Sequence, residues 1–224
     1  MSELDKGSTV GHLAATHPLA VKIFQRHGVD FCCGGAKPLA EACAELGLNT
    51  EAILDEIRKQ EFTAAAPIER WDEKPLPELL DHILDVYHVA LKEDLPRIEA
   101  MVRKVLKVHG SKDPETLSEL LTTFVALKDE LDPHMMKEEQ ILFPMIRSGV
   151  GTRAGGPIQV MRYEHEAAGA LLKRIRELTH DFTMPAEACE TWRALWQGLE
   201  RLEQELYEHI HLENNVLFPR ALGE

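Results

Sequence analysis

The sequence predicts an all-α protein in which a small helical N-terminal domain precedes a four-helix bundle. Three observations predict this fold class. Apolar residues recur at alternating intervals of three and four along four long stretches, and shorter periodic stretches occupy the first sixty residues. No segment shows the alternation of β-branched residues that is typical of strands. A chain of 224 residues is long enough for one ordinary domain and a small second one.

The N-terminal domain is predicted over residues 1–60, which contain the periodic stretches VGHLAA, LAVKIFQRH, PLAEACAEL and TEAILDEIRKQ. Pro18 and Gly28 stand between such stretches, at positions typical of helix boundaries. Residues 61–77, EFTAAAPIERWDEKPLP, are rich in Ala and Pro and lack periodicity. We therefore interpret them as a linker to a second domain over residues 78–224.

The second domain contains four apolar seams, and each seam indicates one long helix. They run from Leu84 to Val105, from Leu117 to Met145, from Ile158 to Ile175 and from Ala188 to Val216. The segments HGSKDP, SGVGTRAGGP and DFTMP separate them. Because short to moderate loops make neighbouring helices antiparallel, the simplest architecture is a four-helix bundle.

Composition and charge exclude several classes of protein. Hydrophobic residues make up 44% and charged residues 28% of the chain, which is typical of a soluble globular protein. The net charge of −13 disfavours binding to nucleic acid and to anionic membranes. No apolar run approaches the roughly 18 residues of a membrane span, and the N-terminus lacks the pattern of a signal peptide. We expect a cytoplasmic protein whose cysteines are thiols.

Six residues that are not apolar interrupt the seams of the bundle. They are His88, His134, Glu138, His165, His209 and Glu213. A seam position faces the bundle interior, where an ionised carboxylate costs several kcal/mol unless a positive group pairs with it. No lysine or arginine lies on the seams, so a metal ion is the compact alternative.

The spacing of these residues supports a metal site. Two residues four apart on a helix project together from adjacent turns, and HMMKEEQILFP and HIHLENNVLFP place His and Glu in this way in the same register. His88 lies 46 residues before His134, and His165 lies 44 before His209, so the bundle consists of two similar hairpins. One His-x-x-x-Glu alone is usually a solvated pair. Six ligand types in a repeated register instead favour two metal ions close together.

The ligand types indicate which metal this is. Structural zinc prefers closed sites rich in cysteine, whereas imidazole and carboxylate together in a bundle core fit iron or manganese. Two glutamates leave coordination positions open for an oxo, hydroxo or water bridge. The Leu-Phe-Pro that follows each pair is assigned to packing and helix kinking. His211 is expected to be solvated, because it faces away from its neighbour His209.

The same segments resemble a known family. HMMKEEQILFPMI and HIHLENNVLFPRAL, with EHEAAG between them, closely resemble the hemerythrin-like domain of the iron-sulfur cluster repair di-iron proteins (the YtfE/ScdA/RIC family). DFCCGG is similar to the cysteine-pair motif of that family's small N-terminal ScdA-type domain. The likeness covers nearly the whole chain. The chain is also similar to the related nitric oxide-binding protein NorA.

The resemblance implies a non-haem di-iron centre with the same six residues as ligands, Glu138 and Glu213 bridging the irons beside an oxo or hydroxo group. It implies repair of iron-sulfur clusters damaged by nitrosative or oxidative stress, with damaged iron-sulfur proteins as partners and nitric oxide or O2 as small ligands. Blood-type hemerythrins use a more histidine-rich ligand set, and this departure disfavours an oxygen carrier.

Four further residues are candidates for chemistry. Cys32 and Cys33, in a turn before two glycines, are expected to bind metal, to exchange electrons or to serve in docking, and the alternative is a pair of ordinary thiols. Glu130 lies one turn before His134, and Glu164 adjoins His165, so either is a candidate acid behind a ligand. Cys43 and Cys189 are interpreted as packing residues.

The expected function is therefore iron supply for cluster repair by a cytoplasmic stress protein rather than by a conventional turnover enzyme. The alternatives are a protein that binds, scavenges or reduces nitric oxide, an oxygen-binding hemerythrin, and a bundle without metal. The FCCGG motif has no evident purpose in a protein that acts on nitric oxide or in an oxygen-binding hemerythrin, so iron supply for repair is the preferred function. The oligomeric state stays open, with a homodimer as one candidate.

Overall fold

A computed structural model of the chain describes residues 4–64 and 69–223. Within these ranges the chain is all-α and contains no strand, which confirms the predicted fold class. The described part of the chain contains eleven α-helices: α1 Val10–Thr16, α2 Leu19–His27, α3 Leu39–Glu45, α4 Thr50–Thr63, α5 Leu76–His82, α6 Val89–His109, α7 Pro114–Lys137, α8 Phe143–Arg147, α9 Gly155–Leu178, α10 Glu190–His211 and α11 Phe218–Leu222. None of the described helices is both long and apolar enough to span a membrane.

Local signals explain where the N-terminal helices begin and end. Thr9 caps α1 by accepting a hydrogen bond from the backbone N–H of His12, and Asn49 caps α4 in the same way. Gly28 ends α2 with a φ of 68°, in the left-handed region that glycine adopts without strain. Gly28 therefore lies at a helix boundary, as the sequence predicts.

The chain forms two compact units. The first comprises Met1–Asp81, Ile146–Gly155 and Tyr207–Glu224, and the second comprises His82–Met145 and Gly156–Leu206. Because these units are defined by contacts and the predicted domains by sequence pattern, the domain boundaries stay predictions. Four residues of the predicted linker, 65–68, lie outside the described residues.

The core of the first unit is built from α1 to α4. Its fully buried side chains include Leu13, Ile23, Phe24 and Ile57. Phe31, which precedes the two neighbouring cysteines, is also buried and packs against Phe24 with ring centroids 6.4 Å apart. The loop that carries the cysteine pair is therefore anchored in this core by its aromatic residue.

The second unit is the four-helix bundle, built from α6, α7, α9 and most of α10. Its buried side chains recur at intervals of three and four, as in Leu91, Leu95, Ile98, Val102 and Val105 of α6. This is the spacing of one apolar face on a helix. Most seam positions of the sequence are therefore on the buried faces of the bundle. Ile141 belongs to the second predicted seam but is exposed, because a π-helical turn over Glu138–Leu142 shifts the register there.

Within the described residues, three π-helical segments interrupt the helices, and the apolar pattern of the sequence does not predict them. They are Ile83–His88, Glu138–Leu142 and Leu212–Leu217. The second and third lead into Phe-Pro, where proline lacks the N–H that an α-helix needs. Each segment contains one of the six predicted metal ligands, and π-helical turns occur frequently at functional sites.

Candidate metal centre

Four of the six predicted ligands come together in the second unit. His88, His134, Glu138 and His165 are all buried, and the carboxylate of Glu138 is completely inaccessible to solvent. The Nε2 atoms of His88 and His134 each lie 3.4 Å from Oε2 of Glu138. Ligand atoms of His134, Glu138 and His165 all lie within 4.8 Å of one another. These residues form one buried cluster of nitrogen and oxygen atoms.

Two further glutamates orient the imidazoles of this cluster. Nδ1 of His88 donates a hydrogen bond to Glu139 over 2.8 Å, and Lys92 donates to the same carboxylate over 2.7 Å. Burial alone raises the pKa of Glu139, but the hydrogen bonds from Lys92 and His88 outweigh it and hold the pKa below its usual value. Glu139 is therefore ionised at neutral pH and requires the proton of His88 to lie on Nδ1.

His134 has the same arrangement. Its Nδ1 lies 2.9 Å from Glu164, and Lys137 pairs with that carboxylate. Burial raises the pKa of Glu164, and the hydrogen bonds from Lys137 and His134 lower it below its usual value. The candidate Glu164 thus contacts His134 rather than its neighbour in sequence, His165. Glu139 was missed because it lies beside a ligand in sequence but binds a histidine 51 residues away.

This hydrogen bonding decides what the interior of the cluster can hold. With the protons on Nδ1, the neutral imidazoles of His88 and His134 turn the lone pairs of Nε2 toward Glu138. Nε2 of His165 lies 3.1 Å from Nε2 of His134. Neither oxygen of Glu138 accepts a hydrogen bond from the described part of the chain. Lone pairs that face one another in a buried site repel unless a proton or a cation lies between them, and a metal ion fits such a site.

Glu203 shows how the same bundle pairs a buried carboxylate without metal. Glu203 is almost completely buried, and Nε of Arg176 donates to its Oε1 over 2.9 Å. This hydrogen bond raises the pKa of Arg176 far above the usual value, against the opposing effect of burial. Glu138, by contrast, lies next to the imidazole nitrogens of His88 and His134. The donor set around Glu138 is that of a cation site.

The remaining two predicted ligands lie in the first unit. His209 is near the end of α10, and Glu213 is in the π-helical segment that follows. Both are buried, and Nε2 of His209 lies 3.1 Å from Oε1 of Glu213. The spacing of four residues therefore brings the imidazole and the carboxylate together, as the sequence predicts.

The cysteine pair is part of the first unit. Cys32 is buried and Cys33 half-buried, with the two Sγ atoms 3.7 Å apart. Oδ1 of Asp30 accepts hydrogen bonds from both backbone N–H groups. The hydrogen bond to Cys33, burial and the charge of Asp30 together raise the pKa of the Cys32 thiol well above its usual value. Because Cys33 is only half-buried, it is the more accessible of the two thiols.

The other candidate residues differ in their environments. Glu130 is exposed to solvent. Cys43 is buried as predicted, whereas Cys189 is exposed, so its interpretation as a packing residue is wrong. Cys189 directly precedes α10 and its Sγ lies 3.2 Å from Nε2 of His109. Ala188 and Trp192 on either side of it carry the buried face of the helix, so Cys189 points away from that face and is exposed.

The expectation that His211 is solvated is also wrong. His211 faces away from His209, but the N-terminal segment covers it, and its ring lies 5.6 Å from that of Phe31. Burial lowers the pKa of His211 to about 4, although hydrogen bonds to the backbone of Phe31 and Ala14 partly oppose this. Helical periodicity identifies the face on which a side chain lies, but not what packs against that face.

Burial of His211 is expected to make the protein sensitive to acid. The unfolded chain takes up a proton on this residue below a pH of about 6.5, whereas the folded chain does so only near pH 4. Between these values the unfolded state binds more protons, so the free energy of unfolding falls as the pH falls. We expect this residue to account for a loss of about 2 kcal/mol from pH 7 to pH 5.

The measurement is urea unfolding of the wild type and of His211→Gln at both pH values. The contributions of the other histidines are common to the two proteins and cancel in the difference. An equal loss of stability in both proteins would show that His211 is not held neutral by burial.

Glu139 is expected to control how tightly the cluster binds metal. Replacement of Glu139 by leucine removes the acceptor that fixes the proton on Nδ1 of His88, and such losses reduce metal affinity by about 10- to 100-fold. Glu139→Gln retains an acceptor and should lose less. Competition with a chromophoric chelator measures the affinity. Asp132→Leu is the control, because Asp132 pairs with Lys128 on the same helix, and an equal loss in this control would contradict the assigned role.

Comparison with known proteins identifies the family. Residues 79–221 match the Hemerythrin HHE cation binding domain, and residues 6–61 match ScdA_N, a domain of unknown function. The iron-sulfur cluster repair protein YtfE of Escherichia coli O17:K52:H18 (strain UMN026 / ExPEC) is 47% identical over 217 residues, 96% of each chain. The proteins of the same name from Shigella boydii serotype 4 (strain Sb227) and Escherichia coli O157:H7 share the same identity and coverage. The chain therefore belongs to the family of YtfE iron-sulfur cluster repair proteins, with a hemerythrin HHE cation binding domain as its larger part.

Proposed function

We propose that this protein binds two iron ions and supplies iron for the repair of iron-sulfur clusters damaged by nitrosative or oxidative stress. The proposed ligands are His88, His134, Glu138, His165, His209 and Glu213. The observation that carries the proposal is the buried carboxylate of Glu138, which faces imidazole nitrogens and accepts no hydrogen bond from the described residues. The name shared by its close relatives supports the repair function.

The choice of iron follows from ligand chemistry. Imidazole and carboxylate ligands in a helical bundle suit iron, and the six ligands contain no cysteine thiolate of the kind that structural zinc sites prefer. When bound, a pair of iron ions supplies redox chemistry and an exchangeable store of iron. Two glutamates for two divalent ions leave positive charge uncompensated, which favours release over permanent retention. This ligand set suits an iron donor better than a purely structural site.

The neighbouring residues prepare the ligands. Glu139 and Glu164 accept the Nδ1 protons of His88 and His134, so both imidazoles present Nε2 to the interior. Lys92 and Lys137 hold these carboxylates from the partly exposed side. The apolar seams of the bundle exclude water from the cluster. The protein itself thus supplies a preformed, dry set of donors.

The proposed partners are damaged iron-sulfur proteins in the cytoplasm, with nitric oxide or O2 as small ligands. Iron supply to a damaged protein requires that the protein reach the metal centre. Beside the metal ligands, the thiols of Cys32 and Cys33 are a second proposed site that handles iron or electrons. For the oligomeric state, a homodimer is proposed beside the monomer.

The test is reactivation of an iron-sulfur enzyme that nitric oxide has inactivated. The iron-loaded wild type is expected to restore its activity, and the double variant Glu138→Leu, Glu213→Leu is not. The double variant Glu93→Leu, Glu200→Leu is the control, because both glutamates are exposed on bundle helices. Equal reactivation by the ligand variant would refute the proposal. Release of nitrous oxide over many turnovers from the diferrous protein and nitric oxide would assign a reductase instead.

A further inference from the structure

Two asparagines connect the cysteine loop to the segment that carries Glu213. Nδ2 of Asn215 donates to the carbonyl oxygen of Phe31 over 3.0 Å and to that of Cys32 over 3.2 Å. Nδ2 of Asn214 also donates to the carbonyl of Cys32, over 3.2 Å. The backbone of the cysteine loop is therefore held by the two residues that directly follow a proposed metal ligand.

The space for Asn215 is made by two glycines from different parts of the chain. A Cβ atom added to Gly11 would lie 2.1 Å from Oδ1 of Asn215, and one added to Gly35 would lie 2.3 Å from it. The backbone N–H of Gly11 donates to the carbonyl of Gly35 over 2.8 Å, which holds the two glycines together. Such distances are shorter than any ordinary contact, so the amide of Asn215 fills a slot that a side chain at either glycine would close.

The repeat within the sequence makes this arrangement specific to one hairpin. In HMMKEEQILFP the residue after the proposed bridging ligand is Glu139, which orients His88. In HIHLENNVLFP the equivalent residue is Asn214, which binds the carbonyl of Cys32. The residue that follows the glutamate therefore orients a metal ligand in one hairpin and binds the cysteine loop in the other.

We infer that Asn215, seated between Gly11 and Gly35, is a positioning residue that couples the thiols of Cys32 and Cys33 to the metal ligand Glu213. Metal bound by Glu213 restricts the motion of the π-helical segment Leu212–Leu217. Because Asn214 and Asn215 of this segment bind the carbonyl groups of the cysteine loop, the motion of the loop is restricted as well. Coupling between two sites is reciprocal in free energy, so a modification of the thiols that bound metal disfavours also weakens metal binding. The inference rests on the proposed function in one respect, namely that Glu213 binds metal.

The experiment measures how fast iodoacetamide alkylates Cys32 and Cys33 in the full-length protein, without metal and loaded anaerobically with Fe²⁺. Mass spectrometry of peptides follows each cysteine separately, and the exposed Cys189 is the internal reference. Iron is quantified in the same samples. Gly35→Ala tests the coupling without altering either asparagine, because the new methyl group displaces the side chain of Asn215. Gly156→Ala is the matched control, since no atom lies within 4 Å of its added Cβ.

In the wild type and in Gly156→Ala, iron is expected to slow alkylation of Cys33 at least about fivefold, the lower end of typical coupling between sites. In Gly35→Ala, iron is expected to leave the rate unchanged, while the iron content stays measurable. Equal rates with and without bound iron in the wild type would overturn the inference, as would full protection in Gly35→Ala, which would indicate binding of iron to the thiols themselves. Absence of bound iron from the wild type would instead refute the proposed function.

Discussion

Replacement of Glu138 by leucine is expected to abolish metal binding and at the same time to stabilise the metal-free protein. Glu138 is completely buried, and the groups nearest its oxygens are the imidazoles of His88 and His134. Without metal, this carboxylate is a cost to folding, and exchange of buried charged groups for apolar ones commonly adds about 1–4 kcal/mol to the free energy of unfolding. In the proposed metal-bound state the same carboxylate is a ligand that leucine cannot replace.

Two measurements test these opposite effects. Urea unfolding of chelator-treated protein gives the stability of the metal-free state, and elemental analysis after loading gives the metal content. Glu138→Gln keeps the shape of the side chain and removes the charge, so it should lose metal with a smaller gain in stability. A Glu138→Leu protein that is less stable without metal than the wild type would show that this carboxylate is already compensated in the metal-free fold, and a Glu138→Leu protein that retains its metal would contradict the proposed role as a ligand.

Loss of the Arg176 side chain is expected to have the largest destabilising effect in the bundle. Arg176 pairs with the buried carboxylate of Glu203 through Nε and a second guanidinium nitrogen. Arg176→Met leaves this carboxylate buried without its partner, and such losses cost about 3–5 kcal/mol. Because the Arg176 side chain is itself 39% exposed, solvent reduces the effect, and we expect a loss of about 3 kcal/mol.

A double variant and a control make this prediction specific. Arg176→Met combined with Glu203→Leu removes both charges and should recover most of the lost stability, as measured by urea unfolding. Arg174→Met is the control, because Arg174 pairs with the partly exposed Glu119 and Glu177, and surface pairs of this kind contribute less than about 1 kcal/mol. Similar losses for both arginine variants would contradict the importance of burial.

Much of the fold is predictable from the sequence, because apolar residues on the buried face of a helix recur at regular intervals. The seams of the four long helices alternate between intervals of three and four, and most of these positions are buried in the structure. Ile141 is an exception, because the π-helical segment Glu138–Leu142 shifts the register of the helix and leaves this side chain exposed. The same period places six polar residues on buried faces, which is why they can be proposed as metal ligands from the sequence. A buried charge is conspicuous against an apolar seam.

Features that depend on contacts between distant helices produce no periodic pattern in the sequence. Glu139 lies outside the seam, and its contact with His88 depends on how two helices pack. His211 lies on a face that looks solvated until the N-terminal segment covers it. The three π-helical segments, such as Glu138–Leu142, follow from a balance of backbone hydrogen bonds that single residues do not reveal. Long-range packing therefore determines the surroundings of the ligands, and local pattern determines the ligands themselves.

The central claim is that the six buried residues together hold a pair of iron ions. Metal analysis combined with Mössbauer spectroscopy on anaerobically prepared protein tests this claim most directly, because it gives both the metal and the number of ions in one centre. We expect two iron ions per chain with the signature of a coupled pair, and neither in Glu138→Leu. A single uncoupled iron per chain, or zinc in place of iron, would contradict the account.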